Sequence, residues 1–304
     1  MLSASEVLRP ASLQEASDAL AAASTSGRTL RIGETLLTDR LTRVLQHEAG
    51  DLTCTVEAGI RLSELRAVLA PHGQRLSLDP PGDPTVGACL AASLSGPLRH
   101  RFGGPRDLVL GVTLVLGDGT VANAGGTVVK NVAGYDLGKL VCGTRGTLAL
   151  IARVSLRLHP VPPAAATLVV ETGDAAGVAH ALLRSQLQPS ALDVLHPGRV
   201  LVLFEGVEPA VEAQLAAARA LVGGAAGDED AWAESRERQG AALGRLRFAP
   251  RDLRNTLSTL REAIVRPAAG VAYVPNRVGG VPPAGVRRLE RAVKAAFDPA
   301  GALA

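Results

Sequence analysis

The residues best suited to chemistry lie between Gly125 and Ile151. There six glycines punctuate a polar cluster of Lys130, Asn131, Tyr135 and Asp136. Glycine takes positive φ and lets the backbone approach a ligand closely, so this alternation of openings and short apolar runs is suited to wrapping one. Upstream, Asp79-Pro-Pro-Gly-Asp-Pro-Thr-Val-Gly-Ala-Cys-Leu-Ala-Ala-Ser-Leu-Ser-Gly96 passes from a Pro/Gly turn straight into an Ala-rich helix start. Free amides and the positive end of the dipole at such a start favour a phosphate. The second half offers His196, Arg199, Arg247 and Arg277, but their spacing forms no catalytic cluster.

The elements that position these stretches follow from periodicity. Glu6–Arg9 and Thr29–Ile32 read as short strands around a helix capped by Ser12, carrying Leu13, Ala16, Leu20 and Ala23 and ending at Gly27. Thr53–Glu57 reads as a strand leading to a helix with Leu62, Leu65 and Leu69, stopped at Pro71-His72-Gly73. Gly117-Asp118-Gly119 joins two strands of a hairpin, and Thr147–Leu158 alternates late in its length. His159-Pro-Val-Pro-Pro163 breaks the pattern and marks a domain boundary. Beyond it, strands at Thr167–Glu171 and Val200–Glu205 mix with helices at Ala175–Leu187, Val211–Val222 and Val286–Phe297, and Gly223–Asp230 reads as a loop. This irregular order predicts an α+β architecture.

Composition narrows the function. A chain of 304 residues with 47% hydrophobic and 20% charged residues is an ordinary globular protein long enough for two domains. Only 2% of residues are aromatic, which argues against a base-stacking nucleic-acid surface. The net charge of +3 is carried almost wholly by arginines, and Arg99-His-Arg101 with Arg106 is the densest local patch for an anion. Cys54, Cys89 and Cys142 lack C-x-x-C spacing, which excludes a sequence-local zinc or iron–sulfur motif. No signal peptide or membrane span is expected, and the location expected is the cytoplasm.

The residues together carry a resemblance. Gly50–Gly59, Leu69–Leu76 with Asp79-Pro-Pro81, Pro84-Thr-Val-Gly87, Leu94-Ser-Gly-Pro97, Arg106–Gly111, Lys130–Asp136, Gly143–Leu148 and Ala296–Gly301 stand in an order that resembles the vanillyl-alcohol-oxidase-type (PCMH-type) FAD-binding proteins. Within them the chain is most similar to the E subunits of bacterial glycolate oxidases. The resemblance implies a two-subdomain FAD-binding domain over residues 1–160, divided at about 48/49. A small cap-like α+β region with a C-terminal helix would follow over 161–304.

It further implies that Thr85, Val86 and Gly87 present amides to the pyrophosphate of a non-covalent FAD. Gly96, Arg101 and Gly103 would lie along the flavin edge. Tyr135, Asp136, Gly143, Gly146 and Leu148 would surround the phosphate–ribityl or isoalloxazine part, with Ile151 beside the adenine. Two roles stay open for Asp136, a ribityl or ribose acceptor or a cap for the helix at Leu137–Val141. Tyr135 is read equally well as a packing residue. The loop expected to be rich in glycine is Arg31–Asp39, with only Gly33 present and Glu34 set to face a diphosphate. The activity implied is oxidation of glycolate or another 2-hydroxy acid within a complex containing a second flavoprotein and an iron–sulfur subunit. The alternative is a structural subunit of that complex with weak or lost FAD binding. No catalytic residue is assigned.

Overall fold

The computed structural model describes residues 7–127, 136–280 and 282–304. Ser12 opens the first helix, its Oγ accepting from the Glu15 amide at 3.1 Å; α1 (Leu13–Ser26) ends at Gly27 with φ 67°. The flanking segments expected as strands form single bridges instead, Leu8 with Leu36 and Leu30 with Leu303. The reason is the turn at Gly33. The amides of Glu34, Thr35 and Leu36 all bond to the Arg31 carbonyl, so this stretch has no run of free backbone groups for a sheet.

The chain then builds β1 (Val44–Glu48), β2 (Thr53–Glu57), α2 (Leu62–Leu69), β3 (Gln74–Arg75), α3 (Val86–Ala92), α4 (Arg99–Phe102) and α5 (Pro105–Leu108). It continues with β4 (Val109–Leu116), β5 (Val121–Gly125), α6 (Leu137–Val141), β6 (Ala149–Arg157) and β7 (His159–Pro160). Among the described residues the first sheet is antiparallel in the order β1-β2-β6-β4-β5, and β3 pairs with β7. The expected hairpin is present, with Gly117–Gly119 joining β4 to β5. Both faces of the sheet centre are covered. Leu114, Ile151, Val154 and Leu156 pack towards α2 and α3, while Val115, Leu150 and Ala152 pack towards α1 and Leu303. Double burial explains the unbroken apolar run Ala149–Ala152, and the outer part of β6 alternates where one face opens.

The second half forms β8 (Ala164–Glu171), α7 (Ala175–Arg184), β9 (Ala191–His196), β10 (Arg199–Gly206), α8 (Glu208–Val222), β11 (Ala225–Gly227) and α9 (Glu229–Gly240). Then come β12 (Gly244–Arg247), α10 (Leu253–Thr259), β13 (Ala263–Arg266), β14 (Val271–Val274) and α11 (Ala284–Phe297). Its sheet runs β11-β8-β10-β9-β13-β14-β12. Part of the expected loop at Gly223–Asp230 is therefore an edge strand, because Ala225–Gly227 pairs with Thr167–Val169. The C-terminal segment returns to the first sheet. Lys294 Nζ donates to the Thr147 and Leu303 carbonyls and to Asp298, and Asp298 accepts the Ala302 and Leu303 amides. Burial pulls the Asp298 carboxyl up, but these donors hold it below the usual range.

A buried polar knot ties the segment after α3 to the second sheet. The Arg266 guanidinium donates to Asp193 Oδ1 at 3.3 Å, to the Ser95 carbonyl at 3.1 Å and to Gln239 Oε1 at 2.5 Å, and it lies 5.0 Å from the Tyr273 ring centroid. Ser235 donates to the other Asp193 oxygen, and Gln239 also donates to the Ser95 carbonyl. Arg75 adds a bidentate pair with Glu205 at 2.7 and 2.6 Å. Asp193 is fully buried, so removing its partner strands a charge in low dielectric. Arg266→Ala is expected to cost about 3–5 kcal/mol in urea unfolding. Adding Asp193→Leu to that variant should recover part of the loss.

Candidate cofactor site

Three segments distant in sequence meet around a cavity of about 260 Å³. The N-terminal turn contributes Ile32, Gly33 and Thr38. The start of α3 contributes Thr85, Gly87, Ala88, Ala91 and Ala92, and the approach to β6 contributes Arg145, Gly146, Ala149, Leu150 and Ile151. Close backbone packing brings them together. A Cβ on Gly59 would lie 1.8 Å from the Thr38 carbonyl oxygen, so only glycine lets the N-terminal turn sit this near. Gly146 has φ 80°, and its face lies against Ile32.

The amides at α3 are used differently from expectation. The Val86 amide donates to the Ile60 carbonyl at 2.9 Å and the Gly87 amide to the Ala58 carbonyl at 2.7 Å. Thr85 caps the helix, its Oγ1 accepting from Ala88 at 3.1 Å. The chain following β2 has taken the donors that a pyrophosphate would need, and Val86 itself is buried in the core. Gly87 is required by packing, since a Cβ there would come within 2.9 Å of the Ala58 oxygen. Glu34 does not line the cavity; it is exposed and pairs with Arg31 at 3.4 Å. The cation that does line it is Arg145, held at φ 55° with its amide on the Ala91 carbonyl. Sequence reasoning passed over Arg145, although a cation between two turn glycines, Gly143 and Gly146, was the available signal.

Of the other expected residues, Gly143 (φ 90°) and Leu148 face the opposite side of the same turn. They line a cleft of about 1,020 Å³ against α11, together with Leu140, Leu289, Arg287 and Arg291. Gly96 is set by the Asp79 backbone, whose carbonyl oxygen would stand 1.7 Å from an added Cβ. Gly103 (φ 78°) makes room for Asp107, which caps α5 by accepting the Gly104 amide. Arg101 lines a separate cavity against residues 182–189. Asp136 caps α6, accepting from the Lys139 amide at 3.0 Å and pairing with its ammonium at 2.8 Å, which is the capping role left open by the sequence. Tyr135, with Lys130 and Asn131, lies outside the described residues.

The remaining chemistry is sparse. His196 Nε2 lies 3.0 Å from the Leu260 carbonyl, and Arg199 pairs with Glu234 and Glu171. Burial pushes the Cys54 and Cys89 thiols up to about 12 and Cys142 to about 11, which makes all three poor nucleophiles. Among the described residues no cluster of three His, Cys, Asp or Glu is placed to hold a metal.

Residues 21–125 match the family model described as FAD binding domain. This segment is a PCMH-type FAD-binding domain. It is 33% identical over 201 residues to glycolate oxidase subunit GlcE of Escherichia coli, covering 64% of this chain and 56% of that protein. It is 32% identical over 171 residues to D-lactate dehydrogenase [cytochrome] 1, mitochondrial, of Saccharomyces cerevisiae, covering 54% and 29%. With glycolate oxidase subunit GlcD of Bacillus subtilis the identity is 32% over 181 residues, covering 56% and 37%. The matched regions are about half the length of these relatives or less. The fold is shared with alkyldihydroxyacetonephosphate synthase, at a TM-score of 0.72 and 17% identity over 97% of this chain and 75% of that one. No helix among the described residues is long and apolar enough to cross a membrane.

Two outcomes follow. Gly87→Ala drives a methyl against the Ala58 backbone and is expected to cost about 1–3 kcal/mol in chemical denaturation, before any effect on a ligand. Loss of hydration pushes the Asp79 carboxyl up to about 7, with Arg266 opposing and Asp193 assisting. A carboxyl whose pKa is raised on folding stabilises fully below its unfolded value near 4 and loses that contribution as pH climbs towards 7. Asp79→Asn should therefore flatten the fall in stability between pH 4 and 7, read by thermal melts across that range.

Proposed function

We propose that this chain is the FAD-holding subunit of a glycolate oxidase-like complex, supporting oxidation of glycolate or another 2-hydroxy acid to the 2-oxo acid. The observation that carries the reading is the convergence of residues 32–38, 85–92 and 145–151 on one cavity walled by small residues. Ligand pockets are generally about 300–1,000 Å³, so a cavity of 260 Å³ admits only one end of a dinucleotide. The rest would pass the 143–148 turn towards the larger cleft, where Leu140, Leu148 and Leu289 offer apolar surface and Arg287 and Arg291 offer charge. Arg145 is the residue suited to a diphosphate, taking the part first expected of the Val86 and Gly87 amides. FAD, when bound, supplies the hydride acceptor. A second flavoprotein and an iron–sulfur protein are the partners this reading calls for, in the cytoplasm.

A second reading has its own support. With the Val86 and Gly87 amides committed to carbonyls, and no base among the residues lining the cavity, a structural subunit with weak FAD binding is the alternative. The visible spectrum of the purified chain, after adding FAD and desalting, separates the two. Retained flavin bands are expected. Arg145→Gln should weaken FAD binding about tenfold with an unchanged circular dichroism spectrum. A colourless wild-type protein would leave only the structural reading.

A further inference from the structure

The open part of the first sheet carries a notch. Where one face of β6 opens, Arg153 and Ser155 stand beside Thr55 of β2, Thr113 of β4 and Asn123 of β5. With Gly111 and the Gly125–Gly126 backbone they line a cavity of about 160 Å³. Register makes the hollow. Gly111 pairs with Ser155 on one side and Gly125 on the other, so that row of the sheet bears no side chain beyond Ser155. Gly126 then folds over Gly111, where an added Cβ would lie 2.7 Å from its nitrogen. A water molecule takes about 30 Å³ of liquid, so the cavity has room for about five heavy atoms.

The polar groups around it are donors without acceptors. Among the described residues Arg153 makes no hydrogen bond or ion pair, and its Nε is buried without a partner. The Thr55 and Ser155 hydroxyls lie 2.9 Å apart; one donates to the other, which leaves the second hydrogen free. Asn123 Oδ1 accepts from Thr113 Oγ1 at 2.7 Å, and this fixes the amide with both Nδ2 hydrogens unused. The acid beside Arg153 across the strands is Glu57, but Arg43 already holds it, through its amide at 2.9 Å and its guanidinium at 3.2 and 2.8 Å. Burial pulls Glu57 up, yet Arg43 and then Arg153 keep it below its ordinary value. Arg153 therefore faces hydroxyl and amide donors with no carboxylate of its own.

We propose that this notch binds a tetrahedral oxyanion, a phosphate or sulfate group, with its charge on Arg153 and its oxygens on the Ser155–Thr55 hydroxyl pair and the Asn123 amide. A set made of donors alone suits an ion that only accepts. The donors stand on β6 and β5, two strand spacings or about 10 Å apart across β4, and so converge from opposite sides. Oxygens spread in three dimensions meet both sides, whereas the coplanar pair of a carboxylate meets one. Five heavy atoms, the count in either ion, fill the space. The site is separate from the cofactor cavity, with which it shares no lining residue, and it does not depend on the function proposed above.

The test is calorimetric titration of the full chain with inorganic phosphate, sulfate, acetate and phenyl phosphate in turn. Phosphate and sulfate are expected to bind, and acetate to bind about tenfold more weakly or not at all. Equal binding of phenyl phosphate would mark the phosphate end of a larger ester as the occupant, and its exclusion the free ion; both support the site. Arg153→Gln should weaken phosphate about tenfold, with Arg153→Lys recovering part of the affinity. Asn123→Asp, which sets a carboxylate of the same shape at the rim, should abolish binding while the melting temperature holds. Saturation with FAD should leave phosphate affinity unchanged. Full affinity in Arg153→Gln, displacement of phosphate by FAD, acetate binding as tightly as phosphate, or no phosphate binding to the wild-type chain would each overturn the proposal. A chain that binds phosphate in this pattern and retains no flavin would count against the FAD-holding reading alone.

Discussion

The double burial of β6 is the constraint on which the first half depends. Ala149–Ala152 is covered on one face by the core under α2 and α3 and on the other by α1 and the C-terminal segment. A strand enclosed on both faces cannot slip by one residue without forcing every side chain into the wrong core. Its register with β2 and β4 thereby fixes where the 143–148 turn emerges, and that turn walls both the cavity and the larger cleft. The site is thus aimed by packing on the far side of the sheet.

Charges carry the connection between the halves. An exposed ion pair contributes little, whereas Arg266 and Asp193 sit where water is excluded and each broken bond leaves a polar group stranded. Such a network specifies one arrangement of the halves more than it adds raw stability. Ser95 takes part through its carbonyl, so the chain leaving α3 is tied directly to the second sheet. The segment that begins at the cofactor cavity and the segment that bears Arg101 therefore move as parts of one framework.

Much of this was legible in the sequence. Ser12 and Gly27 bracket a helix through local chemistry alone, and Gly117–Gly119 does the same for a hairpin. Glycines 143 and 146 announced positive φ, and both have it. The carbonyls that accept from the Val86 and Gly87 amides, those of Ile60 and Ala58, lie 26 and 29 positions upstream, and no local pattern reports that pairing. By position Glu34 would oppose a diphosphate as a like charge, but its neighbour Arg31 pairs with it. Asp193 and Arg266 did leave a trace: each is a lone charge inside an apolar strand, a pattern that calls for a buried partner without saying which.

The staple at the C-terminal end has a consequence for the order of events during synthesis. Leu303 completes the small core that holds Leu20, Leu30 and Leu36, and Lys294 fastens it to Thr147. Those partners are separated by most of the chain, so closing this core is a contact of very high sequence separation and is slow for that reason. On the ribosome, α1 and the N-terminal turn meet Val115, Leu150 and Ala152 first, and their apolar face is closed only once Leu303 has been made. The burial of α1 is thus completed long after the helix itself has been made, and in that interval its apolar face is open to chaperones and proteases.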